Sequence, residues 1–280
     1  MENGTFRVLK LVVAYDGSKF NGWQRGNGRT VQGTLEQALL DSLGTASRGA
    51  VVRRRPTEGA GEEEIGELAV TGAGRTDAGV HAAGQVASVR VPRTVDPALL
   101  LSAVNARLPE DLSVLTCERA DDRFHARYRA VAKTYRYRVV DGAVGDPFLS
   151  RWSWRVQEQL DDEAMRRAAA AFIGTLDCTS LTADKSKKDK SRTIHSVELS
   201  RIPSSFSGSR AALQIDFRGD GFLWNQVRIM AAILVEAGKG AMDADAVRAL
   251  IAAGDRSLAP APAPARGLFL LSVEYGDGGG

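Results

Sequence analysis

Asp77 stands in the run Gly74-Arg75-Thr76-Asp77-Ala78-Gly79-Val80-His81-Ala82, which sets one carboxylate beside a guanidinium and a hydroxyl, with glycine on both sides. An ionised carboxylate can serve as a nucleophile or as a base. Glycine suits a backbone that turns sharply or lets a ligand come close. Apolar runs flank the segment, Leu68-Ala69-Val70 before it and Val86 to Val91 after it, so it belongs on a loop joining strands. Spacing alone favours a tight turn in which Asp77 bonds its own backbone.

Other residues could support chemistry on a nucleic acid. Arg123 to Arg138 holds six Arg or Lys, among them Arg127 and Lys133, with one His and no acid. On a strand, half of these charges project to one face, forming a positive stripe that tracks phosphates or merely a solvated face. A second basic run, Lys185-Ser186-Lys187-Lys188-Asp189-Lys190-Ser191-Arg192, sets five positive charges against one negative. As a loop it can grip a phosphate backbone, or simply keep the protein soluble. Tyr135 lies among basic residues and can stack on an unpaired base; the other reading is a core aromatic of a sheet. Arg228 stands among Val227, Ile229 and Met230. If buried it must be paired, with a cleft carboxylate as the obvious partner; otherwise it snorkels to the surface. Phe20 and Trp23, with Gly17 and Gly22, form either a shaped loop near a ligand or a plug over the core. His81, His125 and His195 make no catalytic group, and neither a phosphate loop nor a dinucleotide fingerprint is present.

The elements that must position these groups are legible in outline. The chain has 280 residues, 44% of them hydrophobic, which suffices for one large domain or two smaller ones. Its formal charge of +3 does not by itself announce a nucleic-acid partner. Cys117 and Cys178 lie far apart and read as reduced thiols, and with three scattered His no metal-site spacing exists. No apolar run reaches the length of a membrane span. Met1 to Gly4 leads almost directly into a strand, so we expect a cytoplasmic protein without a signal or transit peptide; an organellar protein relieved of its transit segment would look the same.

Strands are expected at Phe6 to Tyr15, Val86 to Val91, Arg127 to Val140 and Leu268 to Tyr275, with a hairpin from Val197 to Ile202 and Ala211 to Phe217. Helices are expected at Val31 to Leu43, from Asp96-Pro97 onward, at Asp161 to Ile173, Phe222 to Ala237 and Ala244 to Ala253. Residues 45 to 67 read as a surface insertion, and Ala259 to Ala265 as a stiff extended connector. Strands and helices do not alternate strictly, which predicts an α+β fold with an antiparallel sheet.

Six motifs in order give this chain a resemblance to the TruA family of tRNA pseudouridine synthases, from about residue 6 to 275. They are Tyr15-Asp16-Gly17 through Gly22-Trp23-Gln24 with Thr30-Val31-Gln32; Gly74 to Ala82; Phe124-His125-Ala126-Arg127-Tyr128 leading to Lys133-Thr134-Tyr135-Arg136-Tyr137; Arg192-Thr193-Ile194; Gly221 through Met230; and Ala263-Pro264-Ala265-Arg266-Gly267-Leu268. The resemblance implies that Asp77 is the catalytic carboxylate and that Tyr135 stacks on the target uracil. It implies that Arg75 helps to open and occupy the base's place in the RNA, and that Arg228 is the charge partner of Asp77. Arg127, Lys133, Lys185, Lys187, Lys188, Lys190 and Arg192 become candidate RNA-binding residues. The implied fold has two related halves, each an antiparallel sheet with helices on one face, and a basic cleft between them; we place the boundary near residue 112. The implied reaction isomerises uridine to pseudouridine at positions 38 to 40 of the tRNA anticodon stem-loop, with base flipping and with neither metal nor cofactor. A homodimer with tRNA as partner, and no membrane, complete the expectation. The rivals are an RNA-binding protein of this type without catalysis, and a synthase of the family acting on other RNAs. The insertion, the Lys-rich loop and the Ala-Pro repeat depart from the family pattern and bear on RNA selection more than on chemistry.

Overall fold

The computed structural model describes residues 5–46, 68–203 and 211–276. They form an α+β structure with five α-helices and mainly antiparallel strand pairs. Two compact units divide the chain, one of residues 1–130 with 273–280, the other of residues 131–272.

The N-terminal unit is built around β1 (Phe6–Tyr15), whose buried residues Val8, Leu9, Leu11, Val13 and Tyr15 reflect its apolar composition. Following it are α1 (Val31–Ala46), β2 (Thr71–Gly72), β3 (His81–Pro92), α2 (Pro97–Asn105) and β4 (Leu112–Ala120). β1 lies between β3 and β4, antiparallel to both, and β2 pairs with β3. α1 and α2 pack on each other, and Leu35, Leu39, Leu100 and Val104 of these helices are buried. Asp96 starts α2 by accepting the N–H groups of Ala98 and Leu99, with Pro97 in the first turn where no N–H is needed. The register of β1 shifts near its end, against β4 between Val12 and Val13 and against β3 between Val13 and Tyr15. Such irregularities re-aim side chains, and Tyr15 is the residue re-aimed.

The second unit holds β5 (Ala130–Val140), β6 (Trp154–Arg155), α3 (Asp162–Ala169), β7 (Gly174–Asp177), β8 (Ser191–Ile202), β9 (Ala212–Gly219), α4 (Gln226–Gly238) and α5 (Ala244–Ala253). Its strands run β5-β9-β8-β7, antiparallel, with the short β6 parallel to β5. α4 is buried along nearly its whole length, which its apolar sequence from Ile229 to Val235 demands, and α3 packs on both α4 and α5. The chain closes with β10 (Leu268–Tyr275), whose Val273 and Tyr275 pack against the N-terminal core at Val8, Val86 and Phe124.

Several boundaries differ from expectation. β3 begins at His81 rather than Val86, because the small residues Ala82, Ala83 and Gly84 fit the ladder although they carry little strand signal. β4 was not anticipated, since only Leu112 and Val114 of its residues are buried and the charged end beyond them hides the alternation. Because β4 pairs along its length with β1, the N-terminal unit runs on to Ala130 instead of ending near residue 112. α4 starts at Gln226, not Phe222, because Asn225 adopts a left-handed conformation with φ 61°. Beyond Ala46, the expected insertion falls outside the described residues, as do most of the Ser-rich hairpin loop and the last four residues.

One charged cluster ties the second unit together. Asp141, at the end of β5, is fully buried; it accepts the Leu160 N–H at 2.9 Å and is ion-paired with Arg201 of β8. Arg201 also donates from Nε to Asp162 at 2.9 Å and from Nη1 to the Ala211 carbonyl at 2.9 Å. Loss of the cation from a buried pair leaves an uncompensated charge. Arg201→Met is therefore expected to destabilise this unit by about 3–5 kcal/mol, read as a lowered thermal midpoint. Replacement of both partners, as Asp141→Asn with Arg201→Met, should recover part of the loss; equal destabilisation by the double variant would refute this account.

Candidate active site

The Asp77 loop, residues 73 to 80 between β2 and β3, is held from beneath by its own peptide groups. Ala73 N–H donates to the Val86 carbonyl (2.7 Å), the Gly74 carbonyl accepts from Gln85 Nε2 (2.8 Å), and Val80 N–H donates to the Asp77 carbonyl (3.1 Å). Thr76 turns inward, where its Oγ1 meets the Tyr15 hydroxyl at 2.8 Å. Burial pushes the Tyr15 phenol up to about 12, against the lowering effect of its hydrogen bonds with Thr76 and Gln85, so the ring stays neutral. Arg75 is exposed, and Asp77 is half-buried.

A second loop, residues 16 to 30, lies on the first. Trp23 N–H donates to the Thr76 carbonyl (3.0 Å) and Gly79 N–H to the Phe20 carbonyl (3.3 Å). Gly17 N–H donates to His81 Nδ1 at 3.0 Å, so this ring nitrogen accepts and His81 serves as an anchor. The contact needs glycine. A Cβ at Gly22, where φ is +90°, would stand 2.7 Å from the Thr76 carbonyl oxygen, and one at Gly17 would stand 2.0 Å from that of Val80. Phe20 and Trp23 are buried against Tyr15, with centroid separations of 6.4 and 6.2 Å. They are the plug expected as one alternative, and what they seal is the back of the Asp77 loop. Arg29 staples this second loop: its two Nη groups bind both oxygens of Asp111 at 2.7 and 2.6 Å, and its guanidinium lies 4.1 Å from the Phe20 ring centroid.

In the second unit, Tyr135 is on β5, 8% exposed, with its ring edge-to-face against Phe222 at 5.3 Å. Lys133 shares its strand and is half-buried. Arg192 sits near the start of β8, its Nε 3.8 Å from where a Cβ of Gly221 would be. Lys185, Lys187 and Lys188 are exposed on the loop before β8, and Lys190 is partly so. Asp184 organises that loop by accepting from Ser186 N–H and Oγ at 2.8 and 2.7 Å, which together hold its carboxyl below the ordinary value.

Arg228, on α4, is half-buried and fixed by two neighbours. Its Nε donates to the Ala263 carbonyl (2.6 Å) and its Nη1 to Asn225 Oδ1 (2.8 Å), while Ala263 N–H donates back to the Arg228 carbonyl (3.1 Å). Sequence reasoning missed Asn225 and Ala263 as positioning residues. The Ala-Pro connector does more than extend the chain, since the Pro264 carbonyl also accepts from the Tyr137 hydroxyl at 2.8 Å.

The expected basic stripe is not uniform. Arg127 is exposed on a turn ahead of β5, with Arg123 and Arg129. Arg136, further along, is bound bidentately by its cross-strand neighbour Asp216 at 2.7 and 2.6 Å. Arg138 lies over the Phe269 ring at 4.6 Å, and its burial lowers its affinity for a proton. Alternation along a strand thus overstated the stripe, because it does not show which charges are answered by the neighbouring strand. Among the described residues no cluster of three or more His, Cys, Asp or Glu could hold a metal ion, and no helix is long and apolar enough to cross a membrane.

Comparison with known proteins bears directly on these loops. A family model described as tRNA pseudouridine synthase matches residues 11–129 and 168–276. The tRNA pseudouridine synthase A of Limosilactobacillus reuteri (strain DSM 20016) is 39% identical over 269 residues, 95% of this chain and 96% of its relative. That of Bacillus subtilis (strain 168) is 39% identical over 269 residues, covering 95% and 98% of the two chains. That of Syntrophotalea carbinolica is 36% identical over 270 residues, covering 96% of each.

The Arg29 staple has a measurable pH signature. Hydrogen bonds from Arg29 hold the Asp111 carboxyl below its ordinary value of 3.8. A carboxyl depressed in the folded state contributes stability that is present above its unfolded pKa and is lost as pH falls through the folded one. Asp111→Asn should lower the thermal midpoint at pH 7, by about 1 kcal/mol for a partly exposed bidentate pair. It should also lessen the loss of stability on acidification below about pH 4. Melting curves at pH 7 and pH 3 that fall in parallel for variant and wild type would show that the staple is idle.

Proposed function

The chain belongs to the tRNA pseudouridine synthase family, and we propose that it isomerises uridine to pseudouridine in the anticodon stem-loop of tRNA, at positions 38 to 40, with Asp77 as its catalytic carboxylate. The observation that carries this reading is the half-buried Asp77 on a loop whose peptide groups are fixed on both sides, in a chain matched over 95% of its length by named synthases. The reaction breaks the N1–C1′ bond, turns the uracil and joins C5 to C1′. It is redox-neutral and takes no cofactor. Asp77 acts at the sugar, as nucleophile or as the base that removes a proton from it.

A uridine within a stem must leave the stack to be reached. Arg75, exposed beside Asp77, occupies the gap, and Tyr135 covers the flipped base. Arg127, Lys133, Lys185, Lys187, Lys188, Lys190 and Arg192 bind phosphates along the RNA. Two related halves are in keeping with a family model that matches two separate stretches of the chain. The enzyme works in the cytoplasm as a homodimer with tRNA. Filled positions at Asp77, Tyr135, Arg75 and Arg228 weigh against an RNA-binding protein without catalysis.

Asp77→Asn is isosteric but can be neither nucleophile nor base. It is expected to abolish pseudouridine formation while tRNA affinity stays within about threefold of wild type; turnover near the wild-type rate on a tRNA transcript would remove Asp77 from the mechanism. Arg228 is proposed to pair with Asp77 and keep it ionised. Arg228→Met should then raise the apparent pKa of the acidic limb of the rate profile, with part of the lost activity returning at higher pH. An unmoved acidic limb would make Arg228 a residue of packing alone.

A further inference from the structure

We propose that the turn from Asp121 to Arg129 is a stacking platform, on which Tyr128, backed by His125, receives an unpaired base of the substrate RNA outside the isomerising site. The inference rests on the reading of the protein as a tRNA-modifying enzyme and adds a contact to it.

Tyr128 is 78% exposed, far more than a ring of its size needs to be. It is nevertheless not loose. Its ring lies 4.2 Å from the imidazole of His125 at an interplanar angle of 30°. His125 is itself oriented, because its Nδ1 accepts the N–H groups of Arg127 and Tyr128 at 3.2 and 3.3 Å. Beneath these rings, the turn is pinned to the core. Phe124 and Ala126 are buried with Val8, Ala73 and Val86. The Ala126 N–H donates to Ser88 Oγ (3.2 Å), and its carbonyl accepts from the Tyr275 hydroxyl (2.8 Å). Residues 124 and 126 thus point in while 125, 127 and 128 point out. The result is an aromatic surface held in one orientation, which lowers the entropic cost of stacking.

The surrounding charge selects the occupant. Arg123, Arg127 and Arg129 are exposed, and among the described residues no carboxylate pairs with any of them. The two acids of the turn are otherwise engaged: Asp121 accepts the Arg123 N–H at 2.8 Å, and Asp122 is ion-paired with Arg93 at 2.6 Å. An exposed aromatic ring with cations around it, the Arg127 guanidinium 6.0 Å from its centroid, is what single-stranded nucleic acid requires, the ring taking a base and the arginines its phosphates. An apolar protein partner would need apolar neighbours, and the other exposed residues of this turn are charged. Ala73, in the same buried cluster, is the first residue of the Asp77 loop, so the platform and that loop share one packed base.

The test uses the full-length protein, an unmodified tRNA transcript, and Tyr128→Leu, Tyr128→Phe and Tyr128→Trp. Stacking predicts that the leucine variant binds tRNA roughly ten- to a hundredfold more weakly. The phenylalanine and tryptophan variants should bind like wild type. Pseudouridine formation at saturating RNA should change by less than about twofold in all three, since the platform touches no reacting atom. Near-ultraviolet crosslinking of 4-thiouridine-substituted tRNA to wild-type protein should map to Tyr128, and it decides the matter if leucine disturbs the turn. Wild-type affinity in the leucine variant, or absence of that crosslink, overturns the platform. So does equal weakening by leucine and tryptophan, or a leucine variant whose main change is oligomeric state in sedimentation. A wild type that binds tRNA but forms no pseudouridine overturns the enzymatic reading instead, and the binding and crosslinking arms still decide the platform.

Discussion

Two backbones meet with no side chain between them where Gly17 and Gly22 lie against the carbonyls of Val80 and Thr76, and the geometry around Asp77 follows from that contact. A loop of this length would normally spend its peptide groups on water. Here the Thr76 carbonyl, the Gly79 N–H and the Gly74 carbonyl are bound by Trp23, Phe20 and Gln85. The backbone that carries Asp77 is therefore positioned by its neighbours' peptide groups. Preorganisation of this kind avoids reorganisation at the moment of reaction. The bulged end of β1 belongs to the same design, since it delivers the Tyr15 hydroxyl to Thr76.

Periodicity worked where an element has one face to bury. Tyr135, Tyr137 and Val139 alternate with less buried neighbours as the sequence implied, and the caps at Asp96 and Asp243 start their helices where expected. It failed where small or charged residues carry a strand, as at Ala82 to Gly84 in β3 and Thr116 to Ala120 in β4, because there the ladder hydrogen bonds and not side-chain burial define the element. The break at Asn225 was invisible for a related reason. Asn tolerates a left-handed backbone more readily than most residues, but nothing local requires it.

The candidate site was legible as a set of residue types, and not as a set of restraints. Asp77, Arg75, Tyr135 and Arg228 stood out by motif. The groups that hold them did not, since a carbonyl of Ala263 or a missing Cβ at Gly22 has no signature in a single chain. The Ala-Pro connector shows why. Its composition announces stiffness, and stiffness is useful here because the Ala263 carbonyl must stay where Arg228 Nε can reach it while its own N–H returns the bond.

Charge raises the same problem at larger scale. A formal charge of +3 on 280 residues conceals two classes of cation. Arg29, Arg136 and Arg201 are bound to Asp111, Asp216 and the Asp141–Asp162 pair, and they serve the fold. Lys185, Lys187, Lys188 and the arginines at 123, 127 and 129 are exposed, on segments whose nearby acids Asp184, Asp121 and Asp122 are already accepting hydrogen bonds. Each acid spent on a cap or a staple removes a competitor for those cations. Which cations an RNA can contact directly is consequently set less by how many basic residues the chain contains than by where its carboxylates are held.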